Sequence, residues 1–358
     1  MAETYSTLAA LFTDIADAIR EKTGEADSIV ADDFPDVIRE RLQAAPPPIS
    51  YLTFSSPNSF TLAVNDATKH WNGTLEYSTD TSAWSTWDGT TTLSSATSGS
   101  DNILYLRGTG NKVITGNNTG YKWVLTGSDI ACIGNIENLL DYATVESGAH
   151  PTMANYCYQY MFYGCTGLTQ APALPATTLT PSCYSNMFYG CTALTHAPAL
   201  PATTLTTSCY QNMFRGCTSL TQAPALPATT LVNYCYSNMF YGCTALTQAP
   251  ALPATTLADY CYRFMFYGCT RLTQAPALPA TTLTIRCYQN MFNGCTGLKL
   301  STTQTGEYTV EYRIPTTGTG TTATDALTNM FKSTGGTFTG TPEINTTYYL
   351  SNTNTVVG

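Results

Sequence analysis

Charge is what this 358-residue chain has least of: Asp, Glu, Lys and Arg make up 11% of it, against about 25% in an average soluble protein. Its polar surface must therefore come from Thr, Ser, Asn, Gln and Tyr. The net charge is −9, and a charge-poor acidic chain lacks the Lys and Arg that meet nucleic-acid phosphates, so no nucleic-acid partner is expected. No apolar run approaches the roughly 18–20 residues of a membrane span, so no membrane insertion is expected. His70, His150 and His196 share no pattern and no C-x2-C pair occurs, which leaves a metal site without ligand spacing. Gly318-Thr319-Gly320 has no Lys-Ser/Thr partner and no helix to follow, unlike a phosphate-binding loop. There is no nucleophile elbow and no H-E-x-x-H, and repeated cysteines without a nearby His form no nucleophile–base pair. A carboxylate pair such as Glu76 and Asp80 stays open for glycosidase chemistry. The expectation is a non-enzyme that needs no cofactor and no metal. The first residues, MAETYSTLAALFTDIADAIRE, carry Glu3, Asp14 and Asp17 and no basic n-region, unlike a secretory signal. Synthesis in a cytoplasm is expected.

The scarce charge is unevenly spread. Residues 1–45 carry −6, residues 46–156 carry −5, residues 157–300 carry +4 and residues 301–358 carry −2. Asp259 is the one acid between 157 and 300. Such shifts in composition mark separate parts.

In contrast to its charge, the chain is rich in an internal repeat. CYSNMFYGCTALTHAPALPATTLTTS begins at Cys183, and variants begin at Cys157, Cys209, Cys235, Cys261 and Cys287, each 26 residues on. A second Cys recurs at 165, 191, 217, 243, 269 and 295, so the repeat holds twelve of the thirteen cysteines. A fixed period of 20–50 residues means a solenoid, propeller or array. Within one unit, Cys183, Met187 and Cys191 are spaced i, i+4, i+8, and Tyr184 and Phe188 i, i+4. This spacing predicts about two turns of helix, with Gly190 free to take a positive φ at its end. Pro198 and Pro201 flank Leu200 and predict an extended segment with a sparse hydrogen-bond ladder. One unit cannot bury its apolar face alone, so the units must stack.

The unit C-Y-x-x-M-F-x-G-C-T-x-L-T-x-A-P-A-L-P-A-T-T-L resembles the BspA-type leucine-rich repeat of bacterial and phage surface proteins. The resemblance covers roughly 123–300, is entered through GNIENLLDY at 134–142, and ends in a diverged unit around 326–349 that looks like a terminal cap. The cysteines admit two readings. Equivalent thiols in stacked coils lie about 5 Å apart, within bridging reach. Small apolar plugs in a reduced core suit free Cys, among the most buried residue types, and a cytoplasm that keeps thiols reduced; this is the reading we favour.

Comparing the repeats with one another shows where they vary. The Ala-Pro-Ala-Leu-Pro-Ala block is nearly constant, whereas the loop before the first Cys and the outer face of the expected helix change. The variable set includes Tyr189, Arg215, Tyr234, Tyr241, Tyr260, Arg263, Tyr267 and Arg286. Binding loops favour these residue types, although drift at exposed positions would also produce variation. These eight residues are the candidate ligand-binding face.

Upstream, Leu8, Leu11, Phe12, Ile15 and Ile19 form a helical stripe, and Asp33 and Pro35 start a second short helix. The expected helical hairpin over 1–45 is too small to stand alone. LFTDIADAIREKTG…IVADDFPDVIRERL resembles the N-terminal segment of phage tail-fibre-like and minor virion proteins. This implies attachment to other virion or tail proteins, or a homo-oligomer such as a trimer. Residues 50–122 alternate as strands and predict a small β-sandwich, within the part spanning 46–122, that serves as a spacer. Trp71, Trp84 and Trp87 are concentrated there and are candidates for carbohydrate contact, with core packing as the alternative.

The expected architecture is thus multidomain: a helical hairpin (1–45), a β-sandwich (46–122), a leucine-rich-repeat α/β solenoid with 26-residue coils (123–300) and a C-terminal cap (301–358). The resemblances imply a virion- or tail-associated adhesin that binds a host cell-surface glycan or protein through repeated weak contacts. A bacterial surface adhesin and a carbohydrate-binding accessory protein or enzyme are the alternatives. Light scattering of the chain with and without residues 1–45 checks the N-terminal expectation. A defined oligomer should collapse to a monomer on truncation.

Overall fold

The coil of this solenoid is built from turns. In the stretch Ser182–Cys191, the N–H groups of Cys183, Ser185, Met187 and Tyr189 each donate to the carbonyl three residues back, at 3.2 Å. The even-numbered N–H groups do something else. Tyr184, Asn186, Phe188 and Gly190 donate to the carbonyls of Cys209, Gln211, Met213 and Arg215 in the following coil, at 2.7–3.1 Å. One set of donors closes turns within the coil and the other ties successive coils together, so this buried backbone is satisfied without a helix.

The geometry requires a left-handed residue at every fourth position. In this coil these are Ser182, Asn186 and Gly190, with φ of 56°, 59° and 71°. Asn recurs at the central position as Asn212, Asn238 and Asn290, and Gly at the third as Gly216, Gly242, Gly268 and Gly294. These are the two residue types that enter this region at least cost. Between them, side chains turn inward in pairs: Cys183 with Tyr184, then Met187 with Phe188, all 0–1% exposed.

The structure, a computed structural model, describes residues 51–358, which cluster as one unit. The helical hairpin expected over 1–45 lies outside the described residues. The α/β description of the coil is overturned. Among the described residues the one α-helix is α1 (Asn138–Glu146), and the i, i+4, i+8 stripe belongs to the turn ribbon. A four-residue turn period and a 3.6-residue helical period place nearly the same residues inward, so spacing alone cannot separate them. The positive φ at every fourth residue does, because it breaks the i→i−4 ladder of a helix. The proline-rich half is extended, and its coils meet as isolated parallel bridges: Gln170 to His196, His196 to Gln222, Gln222 to Gln248 and Gln248 to Gln274. Proline removes the donors that would extend these bridges into strands.

The expected β-sandwich is also corrected, to two sheets of which the larger runs on into the repeats. Apolar–polar alternation forms β1 (Leu52–Ser56), β2 (Thr61–Val64), β3 (Thr74–Ser78), β4 (Ser85–Trp87), β5 (Leu93–Ser94), β6 (Ala96–Ser98), β7 (Asp101–Thr109), β8 (Trp123–Thr126) and β9 (Ile130–Ile133). One sheet runs β10-β9-β1-β7-β3-β4, with β6 on β7, where β10 (Leu168–Gln170) is part of the first coil and pairs parallel to β9. The second runs β5-β2-β8. The helix α1 packs on β7 at Gly108, where any Cβ would collide with the Leu139 carbonyl.

This β-module caps the ladder. Each coil's carbonyls wait for donors from the coil before, and the first coil has none. The Ile114 N–H reaches the Cys157 carbonyl (2.9 Å), the Thr115 hydroxyl the Gln159 carbonyl (2.7 Å) and the Trp123 N–H the Met161 carbonyl (2.8 Å). The other end has spare donors. Residues 325–333 form one more turn ribbon, with Asp325, Asn329 and Ser333 left-handed. Its Asn329 and Phe331 N–H groups are met by the Thr341 hydroxyl and the Gly340 carbonyl, both at 2.8 Å. Beside it, β11 (Gln274–Pro276), β12 (Lys299–Ser301), β13 (Tyr308–Arg313), β14 (Gly335–Gly336), β15 (Thr347–Ser351) and β16 (Thr355–Val357) make a four-stranded sheet, β13-β15-β12-β14, and the parallel pair β11-β16.

A β-branched residue has no low-energy place at the left-handed position. Asn238→Val should destabilise the protein by about 1–2 kcal/mol, and Asn238→Gly by much less. Urea unfolding of the two variants checks this.

Candidate functional site

A parallel ladder with a constant repeat puts identical side chains directly above one another. Inside, Tyr158, Tyr184, Tyr210, Tyr236, Tyr262 and Tyr288 stack with ring centroids 5.6–5.9 Å apart and planes within 9°. A phenylalanine column runs beside it from Phe162 to Phe331. Each fully buried phenylalanine contributes about 1.5–3 kcal/mol. The second cysteines fill the remaining space, and from Cys191 on each Sγ donates to a carbonyl of the coil before, as Cys191 does to Phe162 (3.1 Å) and Cys217 to Phe188 (3.1 Å). All thirteen cysteines are free and buried, and among the described residues no three His, Cys, Asp or Glu side chains group as metal ligands.

The outer positions stack by the same rule. Tyr163 lies on Tyr189 at 4.6 Å, and Tyr241 on Tyr267 at 4.5 Å. Arg215 occupies the gap between these pairs. Its guanidinium lies 5.4 Å from the Tyr189 ring and 4.1 Å from the Tyr241 ring. Lys122 stands over Tyr163 at 5.1 Å, extending the column by one more cation. A second column places Tyr234 on Tyr260 at 4.6 Å, with the Arg286 guanidinium 5.8 Å from the Tyr260 ring. Arg286 also pairs with Asp325 at 3.1 Å.

Arg263 and Phe264 join the two columns. The Arg263 guanidinium lies 5.7 Å from the Tyr260 ring and 4.6 Å from the Phe264 ring, and its Nε donates to Gln289 Oε1 at 2.8 Å. Phe264 in turn touches Tyr241 and Tyr267. All eight candidates on the variable face therefore fall in one connected patch of half-buried side chains. Burial and the neighbouring tyrosine push the Tyr163, Tyr234 and Tyr241 phenols up.

Beyond the eight candidates the patch takes in Phe264, Tyr163 and Lys122. Tyr163 is the first-coil equivalent of Tyr189, so the 26-residue offset would have found it. Lys122 precedes the repeats and carries no such signal.

The tryptophans belong elsewhere. Trp71 and Trp87 are 3% and 1% exposed, so neither offers a ring face to a sugar. Their rings lead inward through Trp123 to Phe162 at 5.1, 5.5 and 6.2 Å, joining the β-module core to the phenylalanine column. Trp84 is half-buried, with the Arg107 guanidinium 4.1 Å above its ring. Of the carboxylates, Glu76 pairs with Arg107 at 2.8 Å. Asp80 accepts from the Ser82 and Ala83 N–H groups, which hold its carboxyl below the usual range. The constant Ala-Pro segments line shallow apolar grooves of about 470 Å³ and 480 Å³.

The stacked coils coincide with a sequence family. The BspA type leucine rich repeat region matches in six copies, over residues 140–273 and 229–313. These coils are BspA-type leucine-rich repeats. No curated protein and no solved structure matches the chain. The BspA-type match begins after the N-terminal segment, so the tail-fibre resemblance of residues 8–42 gains no support from it. What BspA-type repeats do suggest is a protein that works by binding through its repeats.

Burial of the thiols in these BspA-type coils has a measurable consequence. It pushes Cys165 and Cys287 up to about 11 and Cys183, Cys235 and Cys269 up to about 12. A folded-state value above the unfolded one stabilises the fold below the unfolded value, and that stability is lost as pH rises through the folded one. Stability should be level through neutral pH and fall above about pH 9. Iodoacetamide at pH 8.5 should label no cysteine until urea unfolds the chain; mass spectrometry reads both.

Proposed function

We propose that this protein is an adhesin that engages a host cell-surface ligand through the tyrosine–arginine face of its BspA-type coils. The observation that carries the reading is the convergence of the eight candidate positions into one connected patch. The positions that hold the coils together are constant, and these eight, which vary from coil to coil, meet at the half-buried surface. Tyrosine and arginine in fixed stacks offer contact area and hydrogen bonds at little further entropic cost. Each contact is weak, and repetition along the coils and across copies adds them.

We further propose a virion or phage tail as the setting, with residues 1–45 attaching the chain to other virion proteins or to copies of itself. The support is the sequence resemblance of residues 8–42. A bacterial cell surface is the alternative setting. Catalysis has no role in this reading: Glu76 and Asp80 are each engaged by other groups, and the buried thiols are poor nucleophiles.

Fluorescently labelled protein incubated with a panel of bacterial strains tests the binding role. The full chain should decorate at least one strain. Replacing Tyr189, Tyr234, Tyr260 and Tyr267 together by Ala should reduce that decoration at least tenfold with the circular dichroism spectrum unchanged. Equal decoration by the variant would refute the assignment of the face.

A further inference from the structure

The chemistry of the patch narrows what it can bind. Its tyrosines stack on one another 4.5–4.6 Å apart, so their ring faces are already covered. What remains for a ligand is the ring edge with its hydroxyl. A binder of single-stranded nucleic acid needs open aromatic faces on which bases stack, and this patch keeps few. A row of phenol hydroxyls instead suits a partner rich in hydroxyl and carboxyl oxygens.

The charge points the same way. The chain as a whole is −9, yet residues 157–300 hold five bases and one acid. Among the described residues, Lys122, Arg215 and Arg263 have no carboxylate within ion-pair distance, whereas Arg286 is neutralised by Asp325. Arg215 is held between two tyrosine rings and Arg263 by Gln289. Both guanidiniums are half-buried, and both lack a charged partner. Cations fixed by neutral neighbours keep their charge available to an incoming anion. They also lie in different coils of one axis. Arg215 and Arg263 belong to the third and fifth coils, and Lys122 stands before the first. At about 4.8 Å per coil, they spread over a length that one small anion cannot reach.

We propose that the tyrosine–arginine face takes an acidic polysaccharide, laid along the solenoid axis. Carboxylates of the polymer meet Lys122, Arg215 and Arg263, and its hydroxyls meet the edges of Tyr189, Tyr241 and Tyr267. The proposal rests on the reading of this face as the binding face and adds the class of ligand.

The test uses the full chain with sodium alginate, a polyuronate, and with its carboxyl-reduced neutral form, by isothermal titration calorimetry. Alginate should bind and the reduced polymer should bind at least tenfold more weakly. Raising salt from about 0.1 M to about 1 M, which shortens the Debye length from about 10 to about 3 Å, should weaken binding. Arg215→Gln and Arg263→Gln should each cost about threefold, with unchanged melting temperature. Arg286→Gln, whose charge is already paired, should cost less.

Equal binding of the neutral polymer, no alginate binding, or arginine variants without effect would overturn the proposal. So would equal or tighter binding of oligothymidylate of matched charge. The tyrosine variant on cells separates the two failures. If it loses cell decoration while alginate does not bind, the face still binds and only the ligand class is wrong. If it keeps decoration, the face itself is misassigned.

Discussion

Everything in the repeat region depends on one hydrogen bond repeated along the coil: an even-numbered N–H donating to a carbonyl of the next coil. It can form because a residue with positive φ recurs at every fourth position and turns alternate N–H groups out of the coil. A helix would have used those donors internally and left coils to meet only through side chains. Here the backbone itself sets the spacing and register of the stack. With the register set, Tyr must lie on Tyr, Phe on Phe and each second Cys under a carbonyl. The near-constant sequence of the inward positions follows, since an odd residue in such a column leaves a gap in two neighbouring coils.

The same register governs the surface. A guanidinium placed in a column of tyrosines has rings above and below it, which is where a cation is stabilised by about 0.5–1 kcal/mol when exposed and by more when desolvated. The variable positions can change residue because they point away from the core, but they cannot change place. Variation in sequence thus becomes a pattern of aromatic, cationic and amide groups on a fixed grid. That arrangement suits recognition of a long partner better than enclosure of a small one.

An open ladder has two ends, and each carries unpaired backbone groups that invite another chain. This protein closes them in opposite ways because the ladder is polar. The N-terminal end exposes carbonyls, and the β-module answers with the N–H groups of Ile114 and Trp123 and the Thr115 hydroxyl. The C-terminal end exposes N–H groups, and residues 340–341 answer with a carbonyl and a hydroxyl. The β-module is therefore part of the solenoid's stability as well as the segment that precedes it. The ring contacts from Trp71 to Phe162 give it a core in common with the coils.

Much of this was legible in the residues themselves. The 26-residue period required stacking, the Cys, Met, Phe and Leu positions marked the inward face, and the prolines required a sparse ladder. Comparison of the repeats singled out Tyr189, Arg215 and Tyr241 as positions on one outward face. The backbone of the coil was not legible, because a turn ribbon with a four-residue period and a helix bury nearly the same residues. Asn186 and Gly190 held a clue in their taste for positive φ, but only the backbone shows that Ser182, Phe264 and Arg286 share it. Which tryptophan stays half-exposed was equally hidden, since Trp84, just before β4, and Trp87, at its end, have similar residues around them. The repeat, its period and its inward positions were determined by the sequence alone, since apolar periodicity acts within one unit. The turn ribbon, the capping of its ends and the joining of two outer columns through Arg263 and Phe264 were decided by tertiary structure. They depend on hydrogen bonds and ring contacts that reach from one coil to the next or from a coil to its cap, and no local pattern encodes those.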